Sequence, residues 1–250
     1  MIERISIENY KSIRELKDFE LKPINVLIGA NGSGKSNFLD VFAFLRDTLN
    51  DKTSQNNSPG YLFSALQKRG EKESICFFDS DTFEISIMTP TFDYSIQIGS
   101  QPPPYQHQFY IVDEKLRNTT TNQDFLKQKN KIVNVICEDG DREVTGNVKS
   151  GLAAILDNRK YVASSVFEFV AMLSKIKIYD RINTAPGSPV RTPQKPKGDT
   201  ILDEDAGNLV DVLHQMVQSS EVFERQLERL LKVLFPDFKR ISFPIEQGNI

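Results

Sequence analysis

Eight consecutive residues carry the strongest chemical signal in this chain: Gly29-Ala30-Asn31-Gly32-Ser33-Gly34-Lys35-Ser36. Three glycines within six positions let a backbone turn tightly, take positive φ and bring its N–H groups close to oxygen atoms. A lysine followed by a hydroxyl residue suits a polyphosphate. Lys35 would reach the β- and γ-phosphates, and the Ser36 hydroxyl would ligate Mg²⁺. With Asn37 the run forms one candidate anion cradle, in which Gly29, Asn31, Gly32, Ser33, Gly34, Lys35, Ser36 and Asn37 are the candidate nucleotide-binding residues. ATP and Mg²⁺ are the implied ligands.

Such a cradle works only between a strand and a helix, because a helix N-terminus presents unpaired N–H groups and a positive dipole end. Both flanks fit. Ile24-Asn25-Val26-Leu27-Ile28 is a mostly apolar run of buried-strand type, and Phe38, Val41, Phe42, Leu45 and Leu49 fall on one helical face. Upstream, Ile2, Ile5 and Ile7 alternate as in a strand, Asn9-Tyr10-Lys11-Ser12 breaks it, and Ile13 to Leu21 reads as a second strand.

Further elements follow from pattern. The polar stretch 51–60 is a surface loop, and Tyr61 to Lys68 suits a short helix. Alternation from Ile75 to Ile98, with further strands at Phe109–Val112 and Ile132–Cys137, describes an antiparallel β block. Glu138-Asp139-Gly140-Asp141 is a hairpin turn. Beyond Ser150 helices dominate, at Leu152–Leu156, Val166–Leu173, Leu209–Val217 and a stretch capped by Ser220 and stopped by Pro236. Ile176–Tyr179 and Lys239–Ile245 read as strands, and the proline-rich loop 184–198 is irregular. The expected organisation is α/β. A phosphate-loop lobe with an inserted antiparallel block occupies 1–145, and a mainly helical lobe occupies 146–250.

Bulk properties exclude several classes. Among 250 residues there are 31 basic and 34 acidic side chains, so no global basic footprint for nucleic acid exists. Lys127, Lys129 and Lys131, and Arg191, Lys195 and Lys197, are local basic runs, which are more often solvated loops than DNA contacts. Two cysteines and two histidines offer no zinc-ligand spacing. No apolar stretch reaches membrane-spanning length, and the N-terminus is not signal-like, so a cytoplasmic protein is expected.

Hydrolysis needs an acidic residue for Mg²⁺ on a second strand and a group that positions water. Asp79, after Ile75-Cys76-Phe77-Phe78, and Asp139, after Val135-Ile136-Cys137, imitate such a residue, but each is followed by turn residues. Residues 1–250 by themselves are therefore expected to bind ATP without turning it over.

Two longer stretches resemble a known family. Ile5-x-Ile7-x-Asn9-Tyr10-Lys11-Ser12-Ile13, followed by Asn25 to Leu39 with its Asn-Gly-Ser-Gly-Lys-Ser-Asn core, is similar to the start of ABC-type ATPases of the SMC, RecF and OLD kind. Leu173 to Asp180, Pro189-x-Arg191-x-Pro193-Gln194, Leu202 to Leu213 and Phe235-Pro236 resemble the middle of RecF-like ATPases of bacterial defence operons. The resemblance implies a P-loop NTPase fold, an ABC-type head with an antiparallel β block and a helical lobe. It places Lys11 and Ser12 beside the ribose or α-phosphate, although a lysine at a strand end is equally suited to solvent. It implies a glutamine near Mg²⁺, with Gln97, Gln101, Gln123 and Gln128 as open candidates. Arg191 matches a family position, but a proline-flanked arginine is more often an ordinary exposed charge. The family's signature sequence, Asp-Glu strand and switch His follow the Phe-Pro position, so the second half of the head is expected beyond Ile250. The implied activity is an ATPase that dimerises head to head around ATP and switches a separate effector, such as a nuclease or toxin, in anti-phage defence. The alternative is a repair or recombination ATPase that holds DNA directly.

Overall fold

The computed structural model describes residues 1–49, 61–101, 109–129, 132–137, 140–145, 150–157, 163–180, 182–193, 195 and 197–243. The chain divides into two compact units, Met1–Ile176 and Lys177–Ile250.

The first unit is built on one eight-stranded antiparallel sheet: β1 (Arg4–Tyr10), β2 (Ile13–Glu20), β3 (Thr82–Met88), β4 (Phe92–Ser100), β5 (Phe109–Asn118), β6 (Asp124–Lys129), β7 (Ile132–Cys137) and β8 (Gly140–Thr145). The strand order is β2-β1-β3-β4-β5-β6-β7-β8. Cross-strand register puts one apolar set on one face. Ile7 stands opposite Ile85, Ile85 opposite Ile96, Tyr94 opposite Leu116, Leu116 opposite Leu126, and Leu126 opposite Val135. All are buried, as expected where period-2 alternation meets a covering layer.

That layer is helical: α1 (Lys35–Asp47), α2 (Tyr61–Gln67), α3 (Lys72–Ile75), α4 (Gly151–Asp157) and α5 (Ser164–Ser174). Helix α1 buries Phe38, Val41, Phe44 and Leu45. Phe44 meets Phe83 edge-on at 5.7 Å, and Phe169 of α5 packs 5.4 Å from Phe92. The α/β architecture with an antiparallel block is thus the expected one.

One charged residue interrupts the buried face. Glu114 of β5 lies opposite Ile96 and is fully buried. Its carboxylate accepts from the N–H groups of Gly151 (2.7 Å) and Leu152 (3.3 Å) at the start of α4, and from the Tyr94 hydroxyl (2.9 Å). Burial pushes its pKa up to about 7 against the pull of those donors.

The second unit contains a short 3-10 turn (Pro189–Arg191), α6 (Leu209–Ser219) and α7 (Glu221–Leu234). Ser220 caps α7, its hydroxyl accepting from Phe223 N at 3.2 Å. Asp211 of α6 accepts from the backbone N–H groups of Asp199 (3.0 Å) and Lys197 (3.1 Å), which fastens the preceding loop. Burial opposes its ionisation, yet these donors hold its carboxyl below the usual range.

Several expected elements differ. Ile24–Ile28 forms no strand, and Ile24, Val26 and Ile28 are 84%, 77% and 91% exposed. A strand exists by pairing, and the described sheet ends at β2 without a strand beside this run. Ile176–Tyr179 forms no strand: Ile176 N still closes the end of α5 on Leu173 O at 3.2 Å. Ile178 N donates to Glu204 Oε1 (2.5 Å) and the Tyr179 hydroxyl to Leu202 O (2.8 Å), so loop partners replace strand partners. Lys239–Phe243 is irregular, and Pro244 and Ile245 lie outside the described residues. The β pattern begins at Thr82 rather than Ile75, which instead ends α3. Strands β6 and β8 were not anticipated. The loop 51–60, Lys131, and Glu138 and Asp139 of the expected hairpin turn lie outside the described residues.

Candidate functional site

The run Gly29–Ser36 leads directly into α1, whose N-cap is Gly34. Gly32 and Gly34 adopt φ values of +81° and +91°, a region in which a side chain would crowd its own backbone. Gly29 differs from the expectation. It has no positive φ, and its value lies in space: a Cβ there would stand 2.7 Å from Ser33 Oγ. Ser33 N closes the turn on Ala30 O at 3.2 Å.

Lys35 is folded back over this turn. Its ammonium donates to the carbonyls of Gly29 and Ala30, both at 2.7 Å, and to Ser33 Oγ at 3.2 Å. The cation therefore sits above the loop, held by three neutral acceptors with no acidic partner among these contacts. Neutral carbonyls hold an ammonium less strongly than phosphate oxygens do. Asn31 and Ser36 are exposed, Ser36 in the first turn of α1, where its hydroxyl is accessible to an ion.

The turn between β1 and β2 reaches the same place. Asn37 Nδ2 donates to Ser12 Oγ at 2.7 Å, and Ser12 Oγ lies 3.1 Å from where a Cβ on Gly34 would be. Lys11 pairs with Asp40 of α1 at 2.6 Å, with its side chain only 20% exposed. It is thus an anchored cation rather than one freely solvated. The backbone pays for this placement, since Asn9 and Lys11 both have positive φ (54° and 50°).

Asp40 is a hub that the sequence did not announce. The Tyr10 hydroxyl donates to it at 2.6 Å and Arg69 Nε at 3.1 Å, besides Lys11. Burial raises its pKa, but Lys11, Tyr10 and Arg69 together outweigh that and hold it low. Arg69, almost wholly buried, also pairs with Asp47 at 3.1 Å and lies over the Phe44 ring at 5.2 Å. Nothing in sequence spacing joins Asp40 to a residue 29 positions away. The one available signal was a basic residue just before Gly70, at a helix end.

A cavity of about 750 Å³ opens beside these groups, lined among others by Lys11, Ser12, Asn37, Arg69 and Phe78. Asp79 also lines it, from the α3–β3 turn rather than from a strand. Gln97 and Gln128 lie on β4 and β6, Gln101 follows β4 and Gln123 precedes β6. None of the four is among the cavity-lining residues. Arg191 ends the 3-10 turn of the second unit. Lys127 pairs with Asp124 at 2.6 Å. Among the described residues, no three His, Cys, Asp or Glu side chains gather in a metal-holding group, and no helix is long and apolar enough to cross a membrane.

Comparison with known proteins adds two findings. The family model for the AAA ATPase domain matches residues 1–177. The chain is also 32% identical over 78 residues to the chromosome partition protein Smc of Methanocaldococcus jannaschii. The match covers 31% of this chain but only 7% of that relative's length.

Proposed function

Because the chain belongs to the AAA ATPase domain family, whose SMC- and RecF-like character the Smc match supports, we propose that it binds ATP at Gly29–Ser36 and works as a nucleotide-controlled switch. The observation that carries this reading is the folded-back Lys35, an ammonium resting on Gly29 and Ala30 carbonyls beside a helix N-terminus. Arriving phosphates supply charged acceptors in place of those carbonyls, and Lys35 swings to the terminal phosphate. The N–H groups of the loop and of the first turn of α1 take the remaining oxygens. Asn31, Gly32, Ser33, Gly34 and Asn37 shape that cradle. Lys11 and Ser12 lie toward the sugar and α-phosphate, with Asp40 fixing the lysine. The Ser36 hydroxyl would hold Mg²⁺, an ion that keeps several waters and needs few protein ligands, and that ion would neutralise phosphate charge.

Lys35→Ala is the direct test, read by calorimetry with ATP and Mg²⁺. A loss of roughly 10- to 100-fold in affinity is expected for removing a charge-assisted contact. Equal affinity in the two proteins would sink the reading.

At the level of the whole protein, we infer a head-to-head homodimer that sandwiches ATP and gates a separate effector, a nuclease or toxin, in anti-phage defence. In this reading the destructive chemistry is assigned to the partner, and the head supplies the nucleotide-dependent geometry. Differential ATP affinity of closed and open dimers then supplies the switching energy. A second reading, a repair or recombination ATPase that holds DNA directly, draws on the name of the Smc relative. Light scattering with and without ATP, combined with pull-downs, separates the two. Dimerisation with ATP and capture of a nuclease or toxin favour the switch; a monomer that binds duplex DNA at physiological salt favours repair.

A further inference from the structure

One wall of the cavity beside Asn37 is aromatic, formed by Phe77 and Phe78. Phe78 is 85% exposed and has φ +43°. Both features are unfavourable for this residue type: an exposed phenyl ring forgoes burial, and a left-handed backbone crowds its Cβ. Strain of this kind persists only where neighbours over-determine the conformation. Here they do. Phe77 N donates to Asn9 O at 2.8 Å, Ser80 N donates to Phe77 O at 3.0 Å, and Cys76 bridges Tyr10. The α3–β3 turn is therefore pinned to the β1–β2 turn that carries Lys11 and Ser12. The Phe77 ring lies 5.5 Å from that of Phe78, at 48°, and supports it from one side. Phe77, Phe78, Lys11, Ser12 and Asn37 line one cavity of about 750 Å³.

We infer that Phe78 is a platform on which the base of the bound nucleotide stacks, making it a positioning residue for the nucleoside end. This rests on the proposed reading of Gly29–Ser36 as the phosphate site. With the phosphates held there and the sugar beside Ser12 and Asn37, the remaining part of the ligand is a flat heteroaromatic ring. An exposed phenyl face offers it dispersion and stacking without reading its edge. The strained turn thus presents an aromatic surface whose natural cover is the nucleotide base.

The test uses the full chain and two ligands with Mg²⁺, ATP and inorganic triphosphate, titrated by calorimetry. Phe78→Ala is expected to weaken ATP about tenfold, the effect of removing one base–aromatic stack, and to leave triphosphate affinity unchanged. Phe78→Trp is expected to retain ATP affinity. Lys35→Ala is expected to weaken both ligands. An unchanged ATP affinity in Phe78→Ala, or equal losses for ATP and triphosphate, overturns the assignment while leaving the phosphate site standing. If Lys35→Ala alters neither ligand, the phosphate reading itself fails and the base platform falls with it. Unchanged melting temperatures in the Phe78 variants confirm that binding, not folding, is being read.

Discussion

The phosphate-loop edge and the antiparallel block of the same unit are held by different forces. Around the loop, contacts are polar: Lys35 on Gly29 and Ala30, Asn37 on Ser12, Lys11 on Asp40. Ile24, Val26 and Ile28 stand exposed just before it. In the block, β3 to β7 contribute Ile85, Tyr94, Ile96, Leu116, Leu126 and Val135 to one dry face under α1, α4 and α5. The contrast teaches that the segment with the most specific sequence is the one least secured by packing. A cradle for a polyphosphate needs free N–H groups and a movable cation, and both are incompatible with a sealed core. The block needs only apolar residues in alternation and carries no chemical motif.

Truncating the block should break stability and spare the chemistry. Ile96→Ala, at a fully buried site, should cost about 3–4 kcal/mol of unfolding free energy, measured by urea denaturation. The fraction that remains folded should bind ATP with unchanged affinity. A loss below about 1 kcal/mol would show that the block is not the stabilising core.

Changing the loop should do the converse. Lys35→Ala removes a cation held only by neutral acceptors, the Gly29 and Ala30 carbonyls and Ser33 Oγ, so the melting point should stay within roughly 2 °C, the effect of about 0.5 kcal/mol or less. ATP affinity should fall as described above. A large drop in melting point would mean that the folded-back lysine is a structural tie rather than a poised ligand.

Glu114 sharpens the comparison, because it is a charge inside the apolar region. Its folded pKa, about 7, lies above the ordinary value of 4.5. The folded state therefore holds the proton more tightly than the unfolded chain between those values. The carboxyl's contribution to stability is fully present below pH 4.5 and is lost as pH rises through 7, by on the order of 3 kcal/mol. Glu114→Gln should flatten that slope between pH 5 and pH 7 in thermal melts followed by circular dichroism. An identical slope in both proteins would place the titration elsewhere.

The glycine-rich turn and the helix it enters were legible in residue order because each of their parts is local. Gly32 and Gly34 meet a backbone requirement, Lys35 and Ser36 follow by one residue, and the helix begins where the loop ends. The same locality made Ser220 readable as a cap and the alternation of β3 and β4 readable as strands. Two stretches near the N-terminus, Ile5–Ile13 and Asn25–Leu39, carried the resemblance to the ATPase family whose model matches residues 1–177.

Partners distant in sequence were settled only by the tertiary structure. Ile24–Ile28 and Ile176–Tyr179 have strand-like composition, but among the described residues no strand pairs with them, and pairing, not propensity, makes a strand. Asp40 collects Tyr10 and Lys11 from the end of β1 and the turn after it, and Arg69 from beyond α2. Glu114 finds its donors 37 and 38 residues away at the start of α4. Phe78 reads as one more apolar residue until its turn is pinned to β1 and its ring is left in the open. Short-range order depends on what each backbone can adopt; these sites depend on which surfaces the folded sheet and its helices bring together.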